Sequence, residues 1–274
     1  MSSQIPESLK SIKALTFDVF GTVVDWRSTV HRQLVSRTQA KIGSLSFGSF
    51  PDALKNRLRA TTDDDWARFT QEWRDSYMAF TSSFVPGKSE WKDTDTHHYE
   101  SLVELLDKWE LTGAFTDDEV LSLSLVWHHL KPWDDSSAGI QRLGTRYVTA
   151  TLSNGNPPLL HDLNEYGSLG FQQIMSTADF GAYKPHPSIY LGAVKALDCR
   201  SEQVAMVAAH LWDLQAARSH GLRTIYVERP QEEAWGCDED RFKDARNWVD
   251  LWIGEKEQGF IEVARRLGIP EGKE

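Results

Sequence analysis

Four polar groups stand behind short apolar runs, and their types are those of nucleophilic and acid–base chemistry. Asp18, in Asp18-Val19-Phe20-Gly21-Thr22, follows the run 14–17. Ser153 and Asn154 follow 148–152, and Lys184, in Tyr183-Lys184-Pro185, comes after 173–176. Asp213 comes after 204–208, in Ala208-Ala209-His210-Leu211-Trp212-Asp213. Singly, each has a plain alternative: Asp18 could cap the next turn, Ser153 a helix, and Lys184 could make an ordinary salt bridge. A carboxylate, a hydroxyl, an amine and a second carboxylate arriving at one crevice seldom coincide by chance. An ammonium within ~4–6 Å of Asp18 would hold its carboxyl ionised. Gly21 would let the backbone turn tightly behind it.

Such convergence requires a parallel sheet. The four runs above and a fifth, 224–227, read as buried strands, most of them followed by a helical pattern. The fold expected is α/β, a Rossmann-like doubly wound parallel sheet, which places ligands beyond the carboxyl ends of its strands. Between the first two strands lie about 130 residues, too many for one crossover and too patterned for a loop. Trp66, Phe69, Trp73, Tyr77 and Phe80 recur at helical steps behind Asp63-Asp64-Asp65, three acids that suit a helix N-terminus. Tyr99, Leu102, Leu105, Leu106 and Trp109 repeat the pattern. Val120, Leu123 and Trp127 repeat it after a capping box, Thr116 with Glu119. Val30, Leu34 and Val35 form a further stripe. The expectation is an all-helical cap over residues 26–130, inserted into a core made of 1–25 and 131–274, with 37–62 a loop inside the cap. The charge-dense stretch 228–246 reads as a surface excursion before a last helix near 256–267.

Composition narrows the class. Thirty Lys+Arg against forty Asp+Glu leave a net charge of −10, which argues against a nucleic-acid or anionic-membrane partner. Cys199 and Cys237 are the only cysteines and stand far apart, so neither a disulfide framework nor a structural zinc site is expected. Residues 1–7 lack the basic-then-apolar pattern of a secretory leader. No apolar run approaches the ~18 residues of a membrane span, and 271–274 carry no lipidation signal. A cytoplasmic protein follows as the expectation. The length of 274 residues suits one large domain carrying an insertion.

Four motifs carry a resemblance: Asp18-x-Phe20-Gly21-Thr22-x-x-Asp25, Ser153-Asn154-Gly155, Lys184-Pro185-x-Pro187-x-x-Tyr190 and His210-x-Trp212-Asp213. On these the chain resembles the haloacid dehalogenase superfamily and, within it, the type II 2-haloacid dehalogenases. Trp73-Arg74 looks like that family's halide-site arginine. Magnesium phosphatases of this fold have a second Asp where Phe20 stands, and a Gly-Asp or Asp-Asp pair where Ala208-Ala209-His210 stand. Magnesium wants carboxylate oxygens, so no metal and no cofactor is expected.

The resemblance implies a hydrolase acting on a small-molecule carboxylate, a short (S)-2-haloacid. Asp18 would displace halide from C2 and form an aspartyl ester. Water oriented by Asp213 and Lys184 would then release the 2-hydroxy acid, inverted at C2. Thr22 and Ser153 are expected to hydrogen-bond the Asp18 carboxylate, and Arg74 and Asn154 to stabilise the departing halide. Arg68 shares the Arg74 helix. Phe20 and Trp212 are expected to wall the pocket, while Trp73 and Tyr77 read rather as core. Tyr190 either bonds Lys184, faces the substrate or simply packs.

One departure stands out. The family's usual Ser-x-Asn ahead of Trp-Asp is Ala208-x-His210 here, so His210 either takes over part of the serine's role or meets a larger acid. A hydrolase triad of Ser153, His210 and Asp213 is disfavoured, because no G-x-S-x-G elbow surrounds the serine. Three other readings stay open. They are ring opening of a strained 2-carboxylate such as azetidine-2-carboxylate (as a related branch of the family performs), phosphate-ester hydrolysis, and a non-catalytic binding module. A tryptophan-rich cap is also compatible with a homodimer.

Overall fold

A computed structural model describes residues 5–270; residues 1–4 and the 271–274 tail, on which the leader and lipidation readings bear, lie outside them. The chain opens with β1 (Ala14–Phe17) and a short β2 (Val24–Asp25). It divides at Asp25/Trp26 and again at Leu130/Lys131 into two compact units.

The helical unit carries α1 (Trp26–Ile42), α2 (Asp52–Ala60), α3 (Asp63–Ser83), α4 (Thr94–Lys108) and α5 (Asp117–Ser124). Side chains start its helices. The Thr62 hydroxyl accepts from the Asp65 N–H while Asp65 accepts from the Thr62 N–H, and Thr116 and Glu119 repeat the exchange. Each such cap is worth ~1 kcal/mol. Asp93 caps α4 by accepting from the Thr96 N–H. Phe69, Trp73, Leu102, Leu123 and Trp127 are fully buried and form the core of this unit.

The stretch 37–62 is not a loop. α1 continues through Gln39, Ala40 and Lys41, all good helix formers, and the Lys41 ammonium reaches Glu119 at 2.6 Å. Ser44, Ser46 and Ser49 gather at a short 3₁₀ turn, Leu45–Ser49, which Ser44 immediately precedes. Pro51 then stands ahead of α2, whose Leu54 and Leu58 are buried one turn apart.

The sheet unit continues with β3 (Lys131–Pro132), α6 (Ser136–Gly144), β4 (Val148–Thr151), α7 (Pro157–Tyr166) and α8 (Pro187–Ala196). β5 (Val204–Ala208), α9 (Leu211–Ser219), β6 (Arg223–Val227), α10 (Asp240–Trp248), β7 (Leu251–Ile253) and α11 (Gly259–Arg266) complete it. Five parallel strands run in the order β4-β1-β5-β6-β7. β1 is flanked by β4 on one side and β5 on the other, so the winding reverses at β1. β1 and β5 are buried along their whole length, as a parallel sheet covered on both faces requires. β2 and β3 form a separate antiparallel pair.

The run 173–176 is not a strand of this sheet. It touches it through single bridges, Ala150 to Gln173 and Ser153 to Ser176. The Thr151 hydroxyl takes the Met175 N–H and donates to the Met175 carbonyl, so a side chain makes the bonds a ladder would otherwise make. Position five belongs instead to β7, a three-residue edge strand. The 228–246 stretch is only partly an excursion, since α10 begins at Asp240. Among the described residues, no helix is long and apolar enough to cross a membrane.

Candidate active site

The reversal at β1 opens a crevice at the carboxyl edge of the sheet, and the candidate residues of the sheet unit meet there. The Asp18 N–H donates to the Val207 carbonyl at 3.0 Å, which ties the residue to β5. Gly21 has φ +82° and its N–H donates to Val24. A side chain at Gly21 would also collide with the Glu232 carboxylate. Thr22 is thereby turned back: its hydroxyl accepts from the Ala209 N–H at 2.9 Å and so must donate to Asp18 Oδ2, at 2.7 Å. The Thr22 carbonyl accepts from Arg229, which forms a bidentate pair with Asp135.

Lys184 lies between two carboxylates, 2.7 Å from Asp213 Oδ2 and 3.3 Å from Asp18 Oδ1. The other Asp213 oxygen accepts from the Tyr190 hydroxyl at 2.7 Å. Asp213 is wholly enclosed, whereas 13% of the Asp18 side chain remains open. Asp18 is therefore the carboxylate a ligand can reach. His210 Nδ1 donates to Asp18 Oδ2 at 3.0 Å, and its Nε2 lies 3.3 Å from Glu232 Oε2.

Charge follows this geometry. Burial works against ionising Asp18, yet Lys184, His210 and Thr22 hold its carboxyl well below the usual range. Burial also opposes the His210 charge, but Asp18 and Glu232 outweigh it and push the imidazole up to about 10. His210 is thus an imidazolium at neutral pH, with both ring nitrogens donating. Asp213 is raised by its burial, and Lys184 offsets only part of this. Lys184 itself is raised, because Asp213 and Asp18 overcome the cost of enclosing it. Burial and the neighbouring Asp213 raise Tyr190 well above the ordinary phenol range, so it stays protonated and donates.

Asp18, Thr22, Lys184, His210 and Asp213 thus form one hydrogen-bonded group. Two expectations are corrected, those for Ser153 and Tyr190. Ser153 does not bond Asp18; its hydroxyl accepts from the Gly155 N–H at 3.3 Å, because the turn behind β4 must satisfy its own backbone. Asn154 Oδ1 accepts from the Lys184 N–H at 2.9 Å, which fixes the lysine's backbone. Tyr190 bonds Asp213 rather than Lys184. Phe20 is buried against Gly155, and Trp212 is half-buried beside His210. Arg74 belongs to α3 of the helical unit, where its guanidinium lies over the rings of Trp26 and Tyr77. Trp73 is core there, donating to Ser101 and the His98 carbonyl.

Glu232 and Glu233 were hidden in the charge-dense stretch. Glu233 accepts from the Leu211 N–H at the start of α9 at 2.7 Å. Their signal was position: they follow β6, another strand whose carboxyl end meets the same edge.

A reversed parallel sheet with an ionised aspartate, a lysine and a second carboxylate at its carboxyl edge defines a class, the Rossmann-like α/β hydrolases with an inserted helical unit. Residues 12–221 match the model of the haloacid dehalogenase-like hydrolases, and the chain belongs to that family. It is 30% identical to (S)-2-haloacid dehalogenase 1 of Pseudomonas sp. (strain CBS-3) over 46% of its own length. That alignment spans 63% of the relative, a little under two-thirds. Among solved structures, an L-2-haloacid dehalogenase superposes with a TM-score of 0.75 at 29% identity, covering 94% of this chain and all of the other. A defluorinating L-2-haloacid dehalogenase gives 0.77 at 26% identity, covering 96% and 98%.

Proposed function

We propose that the protein hydrolyses the carbon–halogen bond of short (S)-2-haloacids through an ester on Asp18. One observation carries the reading. A partly open, fully ionised Asp18 shares its Lys184 with an enclosed carboxylate of raised proton affinity, Asp213. The first is what a nucleophile needs and the second what a proton acceptor needs. Relatives that are haloacid dehalogenases support the substrate class.

Asp18 attacks C2, the C2–halogen bond breaks, and halide leaves with the bonding pair. Asp213 then takes a proton from a water that attacks the Asp18 carboxyl carbon. The ester bond breaks, and the 2-hydroxy acid departs with inversion at C2. On the resemblance of Trp73-Arg74, Arg74 assists the departing halide.

A magnesium-dependent route does not fit these residues. The Lys184 ammonium occupies the space between the two carboxylates, and Phe20 presents a buried ring where an acid would be needed.

A single turnover of (S)-2-chloropropionate in oxygen-18 water containing EDTA tests the proposal. The expected result is one heavy oxygen in the peptide bearing Asp18 and unlabelled 2-hydroxypropionate. Heavy oxygen in the product, with none in the protein, would overturn the ester route. Turnover that only magnesium restores would move the protein to phosphatase-like chemistry.

A further inference from the structure

The two oxygens of Asp18 are not equivalent. Oδ2 accepts from Thr22 at 2.7 Å and from His210 at 3.0 Å, while among the described residues Oδ1 accepts from Lys184 alone, at 3.3 Å. Thr22 is locked as a donor by the Ala209 N–H, and His210 is held from behind by Glu232. We propose that His210, backed by Glu232, is a catalytic residue of ester hydrolysis: with Thr22 it holds Oδ2 as the ester carbonyl oxygen and stabilises the negative charge formed there when water attacks, leaving Oδ1 as the attacking atom. This rests on the aspartyl-ester reading above.

The electron flow distinguishes the two half-reactions. In the first, Oδ1 gives a pair to C2 and the charge of Asp18 leaves with the halide. Donors aimed at Oδ2 stabilise the starting carboxylate and so do not assist this step. In the second, the water oxygen bonds the carboxyl carbon, its proton passes to Asp213, and the carbonyl pair moves onto Oδ2. Donors already in place gain strength as that charge develops. The pair then returns, the bond from the carboxyl carbon to Oδ1 breaks, and Oδ1 departs as the hydroxyl of the product, taking back a proton. The second water proton is released to solvent.

Glu232 has a defined part in this cycle. Once the ester forms, Asp18 no longer carries the anion that helped keep His210 protonated. Glu232, 5% exposed, remains in contact, and Glu233 adds its charge from nearby. Lys184 lies beyond Asp18 and opposes them. His210 therefore stays cationic through the step in which its charge is needed. A neutral asparagine, the residue of the resembled pattern at this position, would offer a dipole where this chain offers a full charge.

Rapid-quench kinetics with (S)-2-chloropropionate, reading halide and the intact protein mass together, tests the assignment. His210→Asn should form ester at close to the wild-type rate and hydrolyse it about a hundredfold more slowly. The variant should then show a halide burst near one per site and a protein carrying a 1-carboxyethyl ester. Glu232→Gln keeps the imidazole, so its hydrolysis should be near wild type at low pH and fall as pH rises through a lowered His210 pKa. Equal ester decay in wild type and both variants would overturn the inference and leave the ester route standing. So would a defect confined to ester formation. If wild type passes through no Asp18 ester at all, the ester reading fails, and this assignment with it.

Discussion

Asp18 is one of a set of interacting neighbours rather than a lone carboxylate. Its negative charge is set by Lys184, His210 and Thr22, each supplied by a different loop. Asp18→Asn keeps the shape but removes a competent nucleophile, so haloacid turnover should fall to a trace while the circular dichroism spectrum is unchanged. More than a trace, in freshly purified protein, would take Asp18 out of that role. His210 adds a second, thermodynamic signature. Its pKa is raised in the folded protein, to about 10, from an unfolded value of ~6.5. The unfolded chain therefore loses this proton first as pH rises, and the contribution to stability is complete below ~6.5 and decays towards 10. The thermal midpoint should drop more steeply across this window in wild type than in His210→Asn. Much of the site was legible because Asp18, Thr22, Lys184 and Asp213 stand behind strands, where side-chain type alone points to chemistry. Ser153 was misread because its hydroxyl serves a nearby backbone N–H. Such bonds leave no trace in residue type.

Elements were legible where burial imposes a period. β1, β4, β5 and β6 are short apolar runs, and α3, α4 and α5 carry aromatic and leucine stripes with caps at their starts. β7, three residues long, and β2 and β3, two each, are too short to carry a pattern. α10 buries only Ala245 fully and has no stripe to read. Close packing between elements was equally invisible. Gly139 of α6 lies so near α11 that a Cβ would stand 2.7 Å from the Phe260 carbonyl carbon. Backbone cannot yield as a flexible side chain can, so Gly139→Ala should cost roughly 1–3 kcal/mol, measured by urea unfolding, with the active-site residues untouched. For α3 the expectation is kinetic. Arg74→Lys keeps the charge but loses the planar fork, so kcat and kcat/KM should both fall, by about 10²–10³, more for fluoride than for bromide as leaving group. Wild-type kinetics with chloro- and bromo-acids would remove Arg74 from the reaction.

At the scale of the whole chain, the sheet unit is discontinuous, since β1 and β2 are separated in sequence from everything else that builds it. The short antiparallel pair is where this matters. Asp25 lies opposite Lys131 in register, so the last residue before the helical unit and the first after it are partners across a ladder, ~5 Å apart. Seen this way, α1 to α5 are the loop of a β-hairpin, about a hundred residues long, whose ends are already closed. Closure costs rise only with the logarithm of loop length, so shortening that loop asks little of the strands that close it. A tight Asn-Gly turn, suited to two-residue hairpins, could replace the whole of 26–130. The trimmed chain should still unfold cooperatively on heating, with the far-ultraviolet signature of a parallel α/β sheet. A broad, uncooperative melt would mean that the hairpin needs its long loop to hold its strands together. If the trimmed chain does fold, this position becomes a natural port for exchanging one inserted unit for another.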